Sequence, residues 1–203
     1  MENKEKKIML KEAGILFAIT LIAGLVLGFV YELTKDPIRL QQEKAIQEAC
    51  STVFTQAATF EETGNVPSAA LTAELDEAGV EIGTIYDALG TSGEHVGYVV
   101  ETTTSQGYAG NITLYLGITD EGILNGISIL TISETPGLGM RAEEVLVPQF
   151  ENVPATIFTY TKSGSTADNE IDAISGATIT TKAVIGAVNG AVRVVTEELK
   201  GGE

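Results

Sequence analysis

The chain has 203 residues, with 12 lysines and arginines against 28 aspartates and glutamates, and a formal net charge of −16 at pH 7. So acidic a chain repels phosphate backbones, which argues against nucleic-acid binding and favours a solvated surface. Cys50 is the only cysteine and His95 the only histidine, which excludes an internal disulfide and a multi-cysteine iron–sulfur centre, and we expect no metal site.

The first predicted element is an apolar segment near the N-terminus. Nineteen residues without a charge run from Ala13 to Tyr31, and a helix of that length rises roughly 28 Å, enough to cross the hydrocarbon core of a bilayer. A cleaved signal peptide is the alternative, but its apolar stretch is usually shorter and ends at a small-residue cleavage site. The sequence therefore favours an uncleaved transmembrane helix over residues 13–31.

The flanks of this segment predict its orientation. Four lysines precede it, at positions 4, 6, 7 and 11, and basic residues beside a span tend to stay in the cytoplasm. We therefore expect residues 1–12 to be cytoplasmic and the remaining chain to lie outside the cytoplasm, held by a single pass through the cell membrane. Residues 32–203 carry 8 lysines and arginines against 25 acidic residues.

An amphipathic helix is predicted next, within a connecting segment of residues 32–60. Pro37 is typical of a helix N-terminus, and apolar residues recur after it at intervals of three or four. Cys50 lies on this apolar stripe, where a cysteine acts as a small hydrophobic residue. Residues 61–203 are then left for one extracytoplasmic domain, which we expect to open with a loop and a short helix.

The middle of the chain has the alternation of β-strands. The predicted strands are residues 83–89, 95–104, 111–119 and 122–133, separated by turns rich in Gly, Ser and Asp. Short turns make antiparallel hairpins the economical connection. Gly126 inside the fourth strand indicates a bulge.

The last third of the chain completes the prediction of the fold. A short helix is expected between Ala142 and Phe150, then a strand at 155–161, a polar turn at 162–170 and a core helix over 180–199. Lys182 and Arg193 leave only ten uncharged residues between them, too few for a second span. The predicted fold class is α+β: an N-terminal transmembrane helix, then one extracytoplasmic domain with a largely antiparallel sheet and flanking helices.

A corner before the last helix is the main functional candidate. Ser175, Gly176 and Ala177 lead into Thr178, near a helix N-terminus whose free N–H groups and dipole stabilise a phosphate. Helix capping by Ser or Thr explains the same residues without a ligand. A threonine nucleophile would need an activating base, and no histidine is near in the sequence.

Two motifs carry a resemblance to a known family. Asp172 to Thr178 resembles the D-x-x-[ST]-G-A-T flavinylation motif of bacterial FMN-binding domains, in which the last threonine carries FMN through a phosphoester. Glu134 to Gly139, ETPGLG, is similar to a signature of the G subunit of the Rnf complex and of the C subunit of the sodium-translocating NADH:quinone reductase. The short segment between the span and the β region resembles the Rnf protein more.

This resemblance implies a set of FMN-binding residues. Thr178 is the implied covalent attachment site, and Asp172 is either read by the flavin transferase or fixes the turn by an Asx-type hydrogen bond. The other implied cofactor-binding residues are Ser175, Gly176, Ala177, Glu134, Thr135, Gly137, Leu138 and Tyr108.

The implied function is electron transfer within a membrane complex. The chain would be the electron-carrying subunit of an ion-translocating ferredoxin:NAD oxidoreductase, with no catalytic residue of its own. Its partners would be the other membrane, iron–sulfur and flavin subunits, and a magnesium-dependent transferase would attach FMN from FAD. The alternatives are the quinone-reductase C subunit and a cofactor-free, membrane-anchored binding or scaffold module.

Overall fold

The computed structural model describes residues 2–200, with side chains from residue 6 onward. The chain divides into two compact units, Met1–Ala45 and Ile46–Glu203. The predicted domain's last three residues, 201–203, and the side chain of Lys4 lie outside the described residues.

The first unit consists of helix α1, which spans Glu2–Val53 and continues into the second unit. Its stretch of apolar side chains is exposed, Leu16, Phe17 and Phe29 by 65–70%, and by length and composition the helix can cross a membrane. Exposed apolar side chains on all faces are typical of a helix that lies in lipid. The side chains of Lys6 and Lys7 before it are exposed to solvent.

Helix α1 corrects two details of the prediction. No new helix begins near Pro37, because this proline lies inside the continuous helix, where its ring removes one backbone hydrogen bond and crowds the carbonyl four residues before it. The helix also ends at Val53, short of the predicted boundary at residue 60, and residues Thr59–Glu62 form a strand, β1. Phe54 donates its N–H to the carbonyl of Cys50 at 2.9 Å as the helix closes.

The second unit is built on a six-stranded antiparallel sheet in sequential order, β1 to β6. The strands after β1 are β2 Val80–Leu89, β3 His95–Thr104, β4 Ile112–Thr119, β5 Ile123–Thr131 and β6 Val153–Pro154. Helix α2, Ala69–Glu77, precedes β2 and is capped by the Ser68 hydroxyl. The predicted antiparallel hairpins are confirmed, and the register slips beside Gly126, as a bulge requires.

Both faces of the sheet are covered. Successive residues of a strand point to opposite faces, so Val99 packs with Cys50 and Phe54 from the end of α1 on one face, whereas Val100 joins the larger core on the other. Gly117 marks the close approach of the α1 terminus: a methyl group here would collide with the Val53 carbonyl. A side chain at this position would therefore push the helix end off the sheet.

The segment after β5 contributes buried side chains to the larger core. A 3-10 turn at Gly139–Arg141, helix α3 at Ala142–Val145 and a second 3-10 turn at Val147–Phe150 replace the predicted helix. Because Pro148 lacks an N–H and restricts the residue before it, the α-helix ends early.

A small parallel sheet and a long helix complete the domain. Strands β7, Thr159–Thr161, and β8, Glu170–Asp172, pair in parallel, so the predicted strand 155–161 is shorter and the predicted turn 162–170 ends in a strand. Helix α4 then spans Thr178–Arg193, and a π-helical turn follows over Val194–Leu199. The Asn189 amide bonds both the N–H and the carbonyl of Phe158, at 2.8 and 2.9 Å, which fastens the small sheet to α4.

Candidate functional site

A cleft of about 580 Å³ opens at the N-terminus of α4. Its size is within the range of small-molecule and cofactor sites. Four segments contribute to its walls: the loop after β3, the loop after β5, the end of β7 and the first turn of α4. The lining residues are Tyr108, Glu134, Thr135, Leu138, Gly139, Lys162, Gly176, Ala177, Thr178, Ile179 and Thr180.

Three threonine hydroxyls in the first turn of α4 have different surroundings. Thr180 is buried and donates to Glu134 Oε2 at 3.0 Å. Thr181 is also buried, donates to the carbonyl of Ala177 at 3.0 Å and accepts the N–H of Ile174 at 3.1 Å. Thr178 is half-buried and lines the cleft, and within residues 2–200 its hydroxyl has no hydrogen-bond partner. The first turn of α4 therefore presents one unbonded hydroxyl, that of Thr178, at the cleft.

The turn before α4 brings the backbone close to the cleft. Gly176 has φ of +79°, a left-handed conformation that favours glycine, and a methyl group there would lie 3.0 Å from Leu138 Cδ2. Ala177 donates its N–H to the carbonyl of Ile174 at 3.0 Å. Since Ala177 is the residue before the helix and its side chain makes no cap, the first N–H groups of α4 remain available to an anion.

Glu134 connects three walls of the cleft. Its side chain is 5% exposed; Oε1 accepts the N–H of Ala109 at 3.2 Å, and Oε2 accepts the Thr180 hydroxyl at 3.0 Å. Hydrogen bonds to a buried carboxylate are stronger than those between neutral groups. Glu134 therefore fixes the loop after β3 and the helix start against the loop after β5.

The loop after β5 presents both backbone and apolar groups. The carbonyl of Thr135 accepts the N–H groups of Leu138 and Met140 at 3.1 and 3.3 Å, which closes the loop tightly. Leu138 is 42% exposed although it is a large apolar side chain. With Tyr108 and Ile179, exposed by 69% and 51%, it forms an apolar rim around the cleft.

Lys162 is the cation of the cleft. It follows β7, and Ala173, which follows β8, donates its N–H to the carbonyl of Thr161 at 2.9 Å. Because β7 and β8 are parallel, their C-terminal ends leave the small sheet on the same side. Lys162 and the turn leading to Thr178 are brought to one cleft in this way.

The structure brings together most of the residues singled out from the motifs. Thr178, Gly176, Ala177, Glu134, Thr135, Leu138 and Tyr108 all line the cleft. Ser175, Gly137 and Asp172 do not. Among the described residues, the Asp172 carboxylate accepts from the Ser165 hydroxyl at 3.5 Å, and the N–H of Ile174 donates to the Thr181 hydroxyl instead. The Asx-type alternative for Asp172 therefore lacks its hydrogen bond, and recognition by the transferase stays a prediction.

Four lining residues were missed by sequence reasoning: Gly139, Lys162, Ile179 and Thr180. Gly139 belongs to the ETPGLG motif, and the two residues after Thr178 share its helical turn, so proximity in sequence was a usable signal. Lys162 had none, because it lies in a polar turn sixteen residues before Thr178.

The two residue types most often catalytic lie outside the cleft. His95 begins β3, and its ring nitrogens contact Asp120 Oδ2 at 3.0 Å and Asp87 Oδ1 at 3.3 Å. Cys50 is buried on the sheet face covered by α1, where burial and the nearby Glu101 carboxylate raise the pKa of its thiol to about 11. At neutral pH the thiol is therefore protonated and a poor nucleophile.

Comparisons with known proteins agree with the two motifs. The model of the FMN-binding domain family matches residues 107–193, which include every residue that lines the cleft. The model described as the RnfG N-terminal region matches residues 1–53, the extent of α1.

Similar proteins match over nearly the whole chain. The G subunit of the Na(+)-translocating ferredoxin:NAD(+) oxidoreductase complex of Acetobacterium woodii is 36% identical, covering 96% of this chain and 97% of that protein. The G subunit of an ion-translocating oxidoreductase complex of Methanosarcina acetivorans is 34% identical, covering 89% and 90%. The crystal structure of NqrC from Shewanella oneidensis aligns with a TM-score of 0.44 at 18% identity, over 68% of this chain and 66% of that one.

Proposed function

This chain belongs to the family of G subunits of ion-translocating oxidoreductase complexes, and we propose that it carries electrons through one FMN esterified to Thr178. It is a redox subunit of such a complex, and its FMN-binding domain holds the flavin. In this proposal the bond to Thr178 is a covalent phosphoester, the residues of the cleft contact the flavin ring, and ferredoxin and NAD are the redox couples of the complex.

One observation supports the attachment site above the others. Among the hydroxyls of the first turn of α4, those of Thr180 and Thr181 are buried and hydrogen-bonded, whereas that of Thr178 is unbonded and lines the cleft. A phosphoryl group on Thr178 would lie at a helix N-terminus, where the free N–H groups and the dipole stabilise its charge. The position of the Thr178 hydroxyl and its lack of a hydrogen bond thus favour the same oxygen.

The rest of the cleft fits the remainder of the cofactor. A flavin ring system is flat and apolar on its faces and has hydrogen-bonding groups along one edge. Leu138, Ile179 and Tyr108 supply exposed apolar surface for the faces, and the loop around Thr135 supplies backbone groups for the edge. When bound, the flavin supplies the redox chemistry, and the side chains of this chain position it and exclude water.

The attachment site is tested with Thr178→Val, a change that keeps the shape of the side chain but removes the hydroxyl. The full chain is produced together with a bacterial flavin transferase, FAD and Mg²⁺, then denatured and examined for flavin fluorescence in a gel. We expect the native chain to fluoresce and Thr178→Val to be dark.

Thr156→Val is the matched control, because it makes the same change at an exposed threonine outside both the motif and the cleft. It should keep its covalent flavin. A fluorescent Thr178→Val chain would contradict the attachment site, and a native chain without flavin under these conditions would favour the cofactor-free binding module.

We place the FMN-binding domain outside the cytoplasm, with residues 1–12 inside. Support comes from the exposed lysines at positions 6, 7 and 11 before the apolar stretch of α1. A covalent bond also prevents loss of the cofactor by dissociation in that location. Trypsin added to intact spheroplasts should cleave at exposed Lys162, whereas cleavage only in inverted vesicles would reverse this topology.

A further inference from the structure

Lys162 differs from every other cation of the described part of the FMN-binding unit, residues 46–200. This range has five lysines and arginines against 21 acidic residues. Four have partners: Arg141 pairs with Glu144, Arg193 with Glu74 and Glu197, Lys200 bonds the Thr119 carbonyl, and Lys182 lies over the Tyr160 ring at 5.4 Å. Within residues 2–200, Lys162 has none.

An unpaired lysine is unexpected on so acidic a surface. Exposed lysines gain little from any one ion pair, but with about four acids for every base a carboxylate partner is readily available. The segments around Lys162 instead direct it to the cleft, through the parallel pairing of β7 and β8 and the 2.9 Å hydrogen bond from Ala173 to Thr161.

Lys162 forms no ion pair with the other charged residue of the cleft. Glu134 is the other charged residue that lines it, and its two oxygens are occupied by Ala109 N–H and the Thr180 hydroxyl. The Thr178 hydroxyl lies in the same cleft. An anion on or beside Thr178 would therefore meet a lysine and the N-terminus of α4 in a domain that otherwise repels it.

We propose that Lys162 binds the phosphate of the flavin nucleotide and so selects FMN over flavins without a phosphate. This inference rests on the proposed function, since it assigns a residue to the phosphate of that cofactor. Lys162 acts by charge and hydrogen bonding and takes part in no bond that is made or broken.

The test compares two ligands that differ only in the phosphate. The full chain carrying Thr178→Val, purified in detergent from cells without a flavin transferase, is titrated with FMN and with riboflavin, and binding is followed by quenching of flavin fluorescence. Adding Lys162→Gln should weaken FMN binding about fivefold, the effect of one solvent-exposed charge pair, and leave riboflavin binding unchanged. The difference should shrink in about 0.5 M salt because the charges are screened.

Two further variants separate charge from structure. Lys162→Arg keeps the charge and should restore FMN binding, whereas Lys182→Gln removes a cation that does not line the cleft and should change neither ligand. Equal weakening of FMN and riboflavin, or no change for either, would overturn the role of Lys162.

In the chain with Thr178 intact, the role of Lys162 is tested by the rate of flavin transfer. The initial rate of flavin transfer from FAD should be about fivefold lower for Lys162→Gln than for the native chain at low salt, and equal rates would also overturn the inference. If the binding test or the kinetic test of Lys162 fails while Thr178→Val still abolishes covalent flavin, only the role of Lys162 is refuted. Failure of this inference can therefore be distinguished from failure of the proposed function.

Discussion

Replacing Glu134 tests whether one buried carboxylate holds the flavin cleft together. It accepts two hydrogen bonds from different segments, Ala109 N–H at 3.2 Å and the Thr180 hydroxyl at 3.0 Å, and is 5% exposed. Each hydrogen bond to a charged group contributes about 1.5–3 kcal/mol. Glu134→Ala removes both and leaves the buried Thr180 hydroxyl unsatisfied, whereas the exposed Ala109 N–H can bond to water, so we expect the free energy of unfolding to fall by about 3 kcal/mol.

Glu134→Gln distinguishes hydrogen bonding from charge. Its amide oxygen can accept from Ala109, and its amide nitrogen can donate to the Thr180 hydroxyl, which accepts as readily as it donates. The geometry is kept and only the charge is lost, so the expected cost is about 1 kcal/mol. Thr180→Val should cost about 1.5–3 kcal/mol, because it leaves one carboxylate oxygen buried and unpaired.

The assay is urea unfolding of the full chain in detergent, followed by circular dichroism. The Glu134→Ala and Thr180→Val costs should not add in the double variant, since both remove the same contact. Additive costs, or a Glu134→Gln chain as unstable as Glu134→Ala, would refute the reasoning that these two hydrogen bonds stabilise the cleft.

Two further predictions concern backbone strain and alkaline stability. Gly176→Ala should lower the free energy of unfolding by about 1–2 kcal/mol in urea, because it combines a left-handed φ of +79° with a methyl group 3.0 Å from Leu138. The control is Gly93→Ala, at φ +83° in open space, which should cost less and leave flavin attachment unchanged. Equal costs for the two variants would exclude a contribution from the contact with Leu138. The pKa of the Cys50 thiol is raised to about 11 by burial and by Glu101, so the folded chain keeps a proton that the unfolded chain loses near pH 9. The contribution of this thiol to stability is therefore complete below pH 9 and is lost as the pH rises to 11. In urea titrations over this range, the free energy of unfolding of the native chain should fall by about 1 kcal/mol per pH unit more than that of Cys50→Ala.

Much of the sheet could be predicted because its signals are local. Strands β2 to β5 are runs of β-branched and aromatic residues separated by short turns, so the sequence predicts their approximate bounds and their antiparallel pairing. It does not predict that β4 is buried along nearly its whole length. The shortest strands could not be found this way. Val153–Pro154 and Glu170–Asp172 have two and three residues, too few for any periodicity. The first pairs with the edge of β5, and the second pairs with the equally short β7.

The C-terminal boundary of helix α1 could not be predicted from the sequence for a different reason. Residues after Val53 continue an apolar pattern that suits a helix, yet Thr59–Glu62 pairs with the edge of β2. Tertiary pairing overrides local preference there. Pro37 is a separate case, because the helix continues through it although its sequence context is typical of a helix start.

The cleft itself depends on contacts that no local pattern contains. Glu134 reaches Thr180 across 46 positions and Ala109 across 25, and Lys162 reaches the cleft only because two short strands run parallel. The motifs identify the residues nearest the proposed phosphoester, but the sequence does not say which of three neighbouring threonines is free. Hydrogen bonding makes that distinction, because it occupies Thr180 and Thr181 in holding the helix start and leaves Thr178.

The different hydrogen bonding of the three threonines determines how loss of Glu134 should affect flavin attachment. If attachment needs only a reactive hydroxyl, loss of Glu134 should leave the flavin on Thr178, since that oxygen makes no contact with the carboxylate. If it needs the helix start held against the loop after β5, Glu134→Ala should lose flavin although Thr178 is intact, because Thr180 is then released and the first turn of α4 is no longer fixed. The second outcome is the one we expect, since the same first turn supplies both the hydroxyl and the N–H groups that we propose to stabilise the phosphate.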